Sequence, residues 1–320
     1  MRNPTVVRLA RLALALVLFA AGCSEEPLVP RGDASWSWRL GGASPDFHAP
    51  TVAPILKERL RKAGIKEPKV HAAPPPTRGA KTPGSFVASE VRVEVRGVAE
   101  GAKELVLHLA TTSGRLGIHR VDESSRLLDE VFQALDESER RQIERHRSER
   151  LSTTLSSPNG ELLKAILARV ASERAASGRS IAVQPPNELG QKPQFTAFVV
   201  HTEPDLTNAH IQSAKGLKGH DRPTVEITLT PAGRDINSAL TRESVGKRLA
   251  IVIDDTVISA PIVPEPIAKG TLRVLFGQGG TPEDDADLMA SLWAFLIGLE
   301  PLPAELTLLA ERSSHGDPTR

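Results

Sequence analysis

Apolar residues recur along this chain at two periods, and the switches between them mark out the elements. Val52, Ile55, Leu56, Leu60 and Ala63 fall at helical spacing, and Gly64 closes that run as a C-cap before Ile65. Val87, Val91, Val93 and Val95 alternate with Arg92, Glu94 and Arg96, which predicts a half-buried strand ending at Gly97. A helix over Lys103 to Ala110 and a strand over Leu116 to Val121 follow. Leu127, Leu128, Val131, Phe132 and Leu135 share one helical face, and Leu162, Leu163, Ile166, Leu167 and Val170 share another. Ser156 to Gly160 breaks the two apart, so they predict either a helical hairpin or two helices covering a sheet.

From Phe195 onward strand patterns dominate. Phe195 to Val200 and Val225 to Leu229 read as strands, and Pro231 to Thr241 reads as a helix with Ile236 and Leu240 on one face. Leu249 to Ile253 and Val257 to Ala260 flank Asp254-Asp255, the signature of a two-residue hairpin in which Asp255 tolerates positive φ. Leu272 to Phe276 is a further strand. Thr281-Pro282 then opens a helix with an N-cap Thr, Pro at the first helical position and acids in the first turn. Its uncharged stretch, Leu288 to Leu299, is 12 residues long, too short to cross a bilayer. Mixed periods of this kind predict an α+β protein.

The ends and interruptions have a different character. Arg2, Arg8 and Arg11 precede an apolar run from Leu12 to Ala21, and Ala20-Ala21-Gly22 supplies small residues before Cys23, the one cysteine in the chain. This resembles a bacterial lipoprotein signal, with Ala20 where Leu is usual; an ordinary secretory signal or an uncleaved anchor would share the pattern. The resemblance implies that Cys23 is acylated, with palmitate among its acyl groups, and becomes the mature N-terminus. With Ser24 rather than Asp behind it, the outer membrane is the expected destination. Ser24 to Pro50, rich in Pro, Gly and Ser with Trp36 and Trp38 in polar surroundings, reads as a flexible tether. The Pro-rich stretch from Ala72 to Gly84 reads as a surface loop.

Composition narrows the function. Forty Lys+Arg against 39 Asp+Glu leaves no basic excess for nucleic acid, and 3% aromatic residues with no Tyr leave few stacking platforms. Nucleic-acid binding is therefore not expected.

The densest pattern lies between Thr224 and Pro303. It runs Val225-Glu226-Ile227-Thr228-Leu229-Thr230-Pro231-Ala232-Gly233, then Leu240-Thr241-Arg242-Glu243-Ser244-Val245-Gly246-Lys247-Arg248-Leu249-Ala250-Ile251-Val252-Ile253-Asp254-Asp255, then Val257-Ile258-Ser259-Ala260-Pro261. This closely resembles the periplasmic region of SecD, a membrane component that assists protein export; the family usually has Asp-Gly where Asp254-Asp255 stands. Further matches are Gly64-Ile65-Lys66-Glu67-Pro68, Val95-Arg96-Gly97-Val98, Ala102-Lys103-Glu104-Leu105, Leu302-Pro303-Ala304-Glu305-Leu306 and Ala310-Glu311-Arg312. The resemblance implies a ferredoxin-like base built from both ends of the chain, an inserted α+β head that contacts polypeptide, and a helical elaboration. In SecD a membrane bundle follows, whereas this sequence ends at Arg320; the expectation is that only the binding capability is present.

The expected layout is a signal peptide over 1–22, a tether over 23–45, base over 46–123, a helical insertion over 124–190, the head over 191–270, base again over 271–313 and a tail over 314–320. Candidate chemistry is sparse. Asp254 and Asp255 are adjacent carboxylates expected to diverge into solvent from a turn. Glu283, Asp284, Asp285 and Asp287 suit a helix N-terminus. His201, His210 and His220 lack the spacing of a zinc site. Gly277 to Gly280 lacks the Lys of a phosphate loop. Arg140, Arg141, Arg145, Arg147 and Arg150, interleaved with Glu139, Glu144 and Glu149, read as the solvated face of one helix, with contact to anionic head groups as the alternative. No nucleophile elbow or Cys/His pair is present.

The expectation is thus a non-enzymatic, lipid-anchored envelope protein facing the periplasm, with no catalytic residues, cofactor or metal. It binds polypeptide or an export or assembly partner through unassigned residues, with contact to an exposed sheet edge near Val257 to Pro261. The alternative is a structural scaffold of the envelope with no export role.

Overall fold

The computed structural model describes residues 31–41, 49–65, 67–72, 90–171, 178–186, 194–276, 283–303 and 305–314. The signal segment with Cys23, most of the Pro-rich stretch, Gly277 to Gly280, the Thr281-Pro282 cap and the tail beyond Ser314 lie outside the described residues. The chain divides into two compact units, one made of residues 1–114 and 299–320, the other of 115–298.

The first unit contains β1 (Arg31–Gly41), α1 (Ala49–Lys62), β2 (Lys69–Ala72), β3 (Glu90–Ala99), α2 (Glu100–Thr111) and β15 (Glu305–Ser314). Its four strands are antiparallel in the order β15-β1-β3-β2, and the element order is β-α-β-β-α-β. β1 corrects the reading of 23–45 as a tether. Ala34, Trp36 and Trp38 are buried, and the two indoles stack with centroids 6.3 Å apart, while Ser35, Ser37 and Arg39 alternate with them. A strand turns every second residue away from the core, so the same serines that suggested a polar linker are the outward half of a buried strand. The helix over 49–62 ends as its sequence indicates: Gly64 adopts φ 83° and Ile65 N–H donates to Leu60 O.

Arg59, 1% exposed, is the polar centre of this unit. Its guanidinium donates to the carbonyls of Leu109, Thr112, Ser113 and Glu300, gathering the last turn of α2 and the returning C-terminal segment on one side chain. Carbonyls at a helix end lack intrahelical donors, and a five-donor cation can serve several of them at once.

The second unit opens with β4 (Leu116–Arg120), α3 (Leu127–Gln133), α4 (Glu137–Arg140), β5 (Glu144–His146), β6 (Thr154–Ser157), α5 (Gly160–Ala171), β7 (Arg179–Gln184) and β8 (Phe195–His201). It continues with β9 (Leu206–Thr207), a 3-10 turn (Asn208–His210), β10 (Ile211–Leu217), β11 (Thr224–Leu229), α6 (Pro231–Glu243), β12 (Leu249–Ile253), β13 (Thr256–Ser259), β14 (Thr271–Leu275) and α7 (Glu283–Ile297). Eight strands form one sheet, ordered β5-β6-β8-β7-β13-β12-β4-β9, and three form another, ordered β10-β11-β14.

The larger sheet closes on itself. Val121, just past β4, bridges Val200 of β8, and Asp122 N–H donates to Val199 O at 2.9 Å. Strands β8, β7, β13, β12 and β4 therefore form a ring. Its interior is a buried apolar cluster of Val121, Ala182, Phe198, Val200, Ala250, Val252 and Val257. Closure abolishes the strand edges that an open sheet would expose. Outside the ring, Ala197 and Val199 of β8 pack under α3 and α5. Leu116, Ile118, Ile251 and Ile253 pack with the inner face of the three-stranded sheet and with α6 and α7.

Four expectations change here. The 124–190 segment is not a helical insertion or a helical hairpin, because the β5-β6 hairpin separates α3 from α5 and joins the sheet through β8. Its helices cover that sheet, the other reading of the pattern. The arginine-rich run does not form one helix. Asp136 caps a single short turn at 137–140 through a capping box with Glu139, after which the chain extends into β5. Likewise β14 and α7, expected in the base, lie in the second unit: β14 pairs with β11, and Leu272, Val274, Ala294 and Ile297 share one core with Val225 and Ile227. The boundary falls at Gly114 rather than Glu123, since β4 pairs with β12.

Candidate functional site

Polar side chains gather at one end of the ring. Arg248 lies on the same strand face as Ala250 and Val252, so its side chain points inward, with its guanidinium 5.3 Å from the centroid of Phe198. Its Nε donates to Glu123 Oε1 at 2.9 Å and its Nη2 to Oε2 at 2.7 Å. Glu123 also accepts from the backbone N–H of Arg248 and from the N–H and hydroxyl of Ser152, while Arg248 Nη2 donates to Ser152 O. Burial pushes the Glu123 carboxyl toward neutrality, but the Arg248 and Ser152 donors outweigh it and hold its pKa below the usual glutamate value. Every acceptor site of this carboxylate is engaged, which makes the pair a plug for the ring rather than an acid or base.

Beside the closure, Arg179 Nε donates to Asp122 Oδ2 at 2.6 Å, and His119 Nδ1–H donates to His201 O at 2.8 Å. Burial and the neighbouring Arg179 charge lower the pKa of His201, so its imidazole is held neutral. His210 accepts the Thr207 N–H on Nδ1 and closes the 3-10 turn, and His220 is exposed. The three histidines do not converge, and among the described residues no group of three or more His, Cys, Asp or Glu could hold a metal ion.

Asp254 and Asp255 occupy the expected hairpin with φ 47° and 64°, the pair of positive angles that a type I′ turn requires. Their side chains do not both run free into solvent. Asp254 Oδ1 accepts the Arg115 N–H at 2.9 Å, while Asp254 N–H donates to Arg115 O. The pair is a structural brace at the start of β4.

The expected polypeptide-accepting edge at Val257 to Pro261 is absent. β13 lies inside the ring between β12 and β7, Val257 is fully buried, and residues beyond it pair back onto 245–249. Sequence patterning missed this because a strand's neighbours depend on closure, which leaves no local mark. Among the described residues, the strands of this unit paired on one side only are instead β5 and β9, two or three residues each, and the two margins of the three-stranded sheet, β10 and β14. β10 carries an irregularity between Ile211 and Ser213 and presses Gly216 against the backbone of α7 at Ala290 and Ser291. β14 is regular, and it ends at Leu275, which is 44% exposed; Val245 and Ile262 are exposed in the same unit.

Residues 183–292 match the family model described as SecDF, P1 head subdomain. This span reaches past the expected head boundary at Gly270 and takes in β14 and most of α7. The protein translocase subunit SecD of Calditerrivibrio nitroreducens is 38% identical over 93 residues, 29% of this chain and 17% of that one. The SecD of Magnetococcus marinus is 34% identical over 109 residues, 34% of this chain and 19% of that one. The chain thus spans about a fifth of the length of these relatives. A crystal structure of SecDF in a super-membrane-facing form superposes with a TM-score of 0.56 over 97% of this chain and 35% of that one, at 22% identity, a likeness of fold. The chain therefore carries a segment that matches the SecDF P1 head subdomain, set in an α+β fold similar to part of SecDF.

Proposed function

We propose that this protein is a non-enzymatic envelope lipoprotein whose SecD-like head binds polypeptide or a partner in export or assembly. The observation that supports this most is the match of residues 183–292 to the P1 head, a segment whose three-stranded sheet has a margin at β14 that no described strand covers. Binding equilibrium suffices for such a role, and the fully satisfied Arg248 and Glu123 pair offers no reactive group. The first unit, with its β-α-β-β-α-β order, serves as a ferredoxin-like base. Cys23 is the acylation site, and Ser24 directs the anchored protein to the outer membrane, facing the periplasm.

Affinity capture from cells tests the binding role. Many unfolded clients at low occupancy support it, whereas one folded partner at fixed stoichiometry supports the scaffold reading in its place. Fatty-acid labelling tests the anchor: wild type takes up label and Cys23→Ser does not, and equal labelling of both removes the anchor from the proposal.

A further inference from the structure

Hydrogen bonds at the two ends of β14 fix which of its backbone groups are spent. Leu229 N–H donates to Gly270 O at 2.8 Å, and Phe276 N–H donates to Pro223 O at 2.8 Å. The register between them pairs Val225 with Val274 and Ile227 with Leu272. Antiparallel ladders alternate bonded and non-bonded pairs, so 270, 272, 274 and 276 turn their N–H and C=O toward β11. Thr271, Arg273 and Leu275 turn theirs the other way, to the margin of the sheet, where no described strand is in register with them; the Leu275 carbonyl accepts the Ser259 hydroxyl, so the ladder on offer runs from Thr271 to the Leu275 N–H.

Natural edges are usually blunted by a bulge, a lone charge or a cover. β10 has the irregularity and Lys215. β14 has no register shift, and its one charge, Arg273, is spoken for by Glu226 directly opposite on β11, at 3.1 Å. The side chains on its outer face alternate Thr271, Arg273, Leu275, and the neighbouring 259–263 segment leads from Leu275, whose carbonyl accepts the Ser259 hydroxyl, to the exposed Ile262.

We propose that the β14 edge is where the head takes up an extended polypeptide, as a fourth strand on the three-stranded sheet, with Leu275 and Ile262 giving apolar contact at one end. This rests on the head being a polypeptide binder. A second copy of the chain does not fit as occupant. Five residues span about 17 Å, and pairing two such edges falls far short of the roughly 1,200 Å² that stable protein interfaces bury. A short main-chain ladder suits a weak, sequence-tolerant ligand, because the hydrogen bonds are common to every sequence except at proline.

The test replaces Arg273, whose N–H points outward and bonds nothing in β11. In the full chain, Arg273→Pro deletes that donor and leaves the β11 ladder whole, and Arg273→Ala keeps the donor and removes only the side chain. Binding of reduced, carboxymethylated lactalbumin, a permanently unfolded probe, is measured for each by fluorescence anisotropy. The expected result is a loss of about five- to tenfold for Arg273→Pro and a change of less than about twofold for Arg273→Ala. In parallel, a photo-crosslinking residue at Thr271 captures the probe in an otherwise unchanged chain, and one at Gln212 on β10 does not, which decides the matter if the proline variant misfolds. Equal binding by a folded Arg273→Pro, or equal capture from Gln212, overturns the edge while leaving the head a polypeptide binder. No binding by wild type sinks that wider reading as well.

Discussion

Arg248 and Glu123, 125 residues apart in sequence, meet in a two-point ion pair, Nε to Oε1 at 2.9 Å and Nη2 to Oε2 at 2.7 Å, where their side chains are 10% and 8% exposed. Removing one member strands the other in a buried site, at a cost of about 3 kcal/mol or more. Glu123→Ala and Arg248→Ala are each expected to lower urea stability by that order, with the double variant Arg248→Met/Glu123→Leu recovering much of it. Additive losses in the double variant would mean that the pair is not coupled.

Stability is expected to fall with pH in two steps. His201 has its pKa lowered by burial and by Arg179, so the unfolded chain binds the proton more readily. Stability from this group is full above the unfolded value, about 6.5, and declines as pH falls through the depressed folded value. Glu123 and Asp122 are also depressed: burial opposes ionisation, but the Arg248 and Arg179 hydrogen bonds prevail. Their contribution is full above the unfolded carboxylate range, about pH 4, and is lost in stronger acid. Chemical denaturation from pH 8 to 3 should show a gentle slope near neutrality that His201→Gln removes, and a steeper acid slope that Glu123→Gln reduces.

Gly216 leaves no room for a side chain. A Cβ there would lie 2.8 Å from the carbonyl carbon of Ala290 and the nitrogen of Ser291, both backbone atoms of α7. Gly216→Ala should therefore push the helix from the sheet and cost about 1–3 kcal/mol. Gly178, at φ 78° with nothing within 4 Å, should lose only about 1 kcal/mol on the same change, from backbone strain alone. Thermal melts of the two variants distinguish crowding from strain.

Asp255→Gly should raise stability by about 0.5–1 kcal/mol, because φ 64° strains any residue with a Cβ and glycine is at ease there. Asp254→Ala should do the reverse, since Asp254 Oδ1 holds the Arg115 N–H. A lower melting temperature for Asp255→Gly would show that its carboxylate does more than turn the chain.

Arg59→Met should destabilise the first unit by about 3 kcal/mol, as several carbonyls at the end of α2 and at Glu300 lose a charged donor together. Hydrogen exchange should localise the loss to Leu109–Gly114 and the segment at Glu300.

What the sequence by itself determined were the elements whose causes lie within a few residues. The helix expected over Pro231 to Thr241 is α6, where the Thr230 hydroxyl oxygen accepts from Gly233 N–H. The Asp254-Asp255 hairpin and the alternation of β11 follow from local backbone preference and from period. The α+β class was legible for the same reason, and the likeness of the Thr224 to Pro303 stretch to SecD was legible as a resemblance in the residues themselves. Tertiary structure alone decided partners and closure. Trp36 and Trp38 are core because β3 and β15 flank β1 from distant parts of the chain. β13 has no free edge because Val121 reaches Val200 and shuts the ring, and β14 has one because β11 is its sole described neighbour. Strand pairing is a contact between segments far apart in sequence, whose loop-closure cost and burial are set by the whole fold, so no window of residues encodes it.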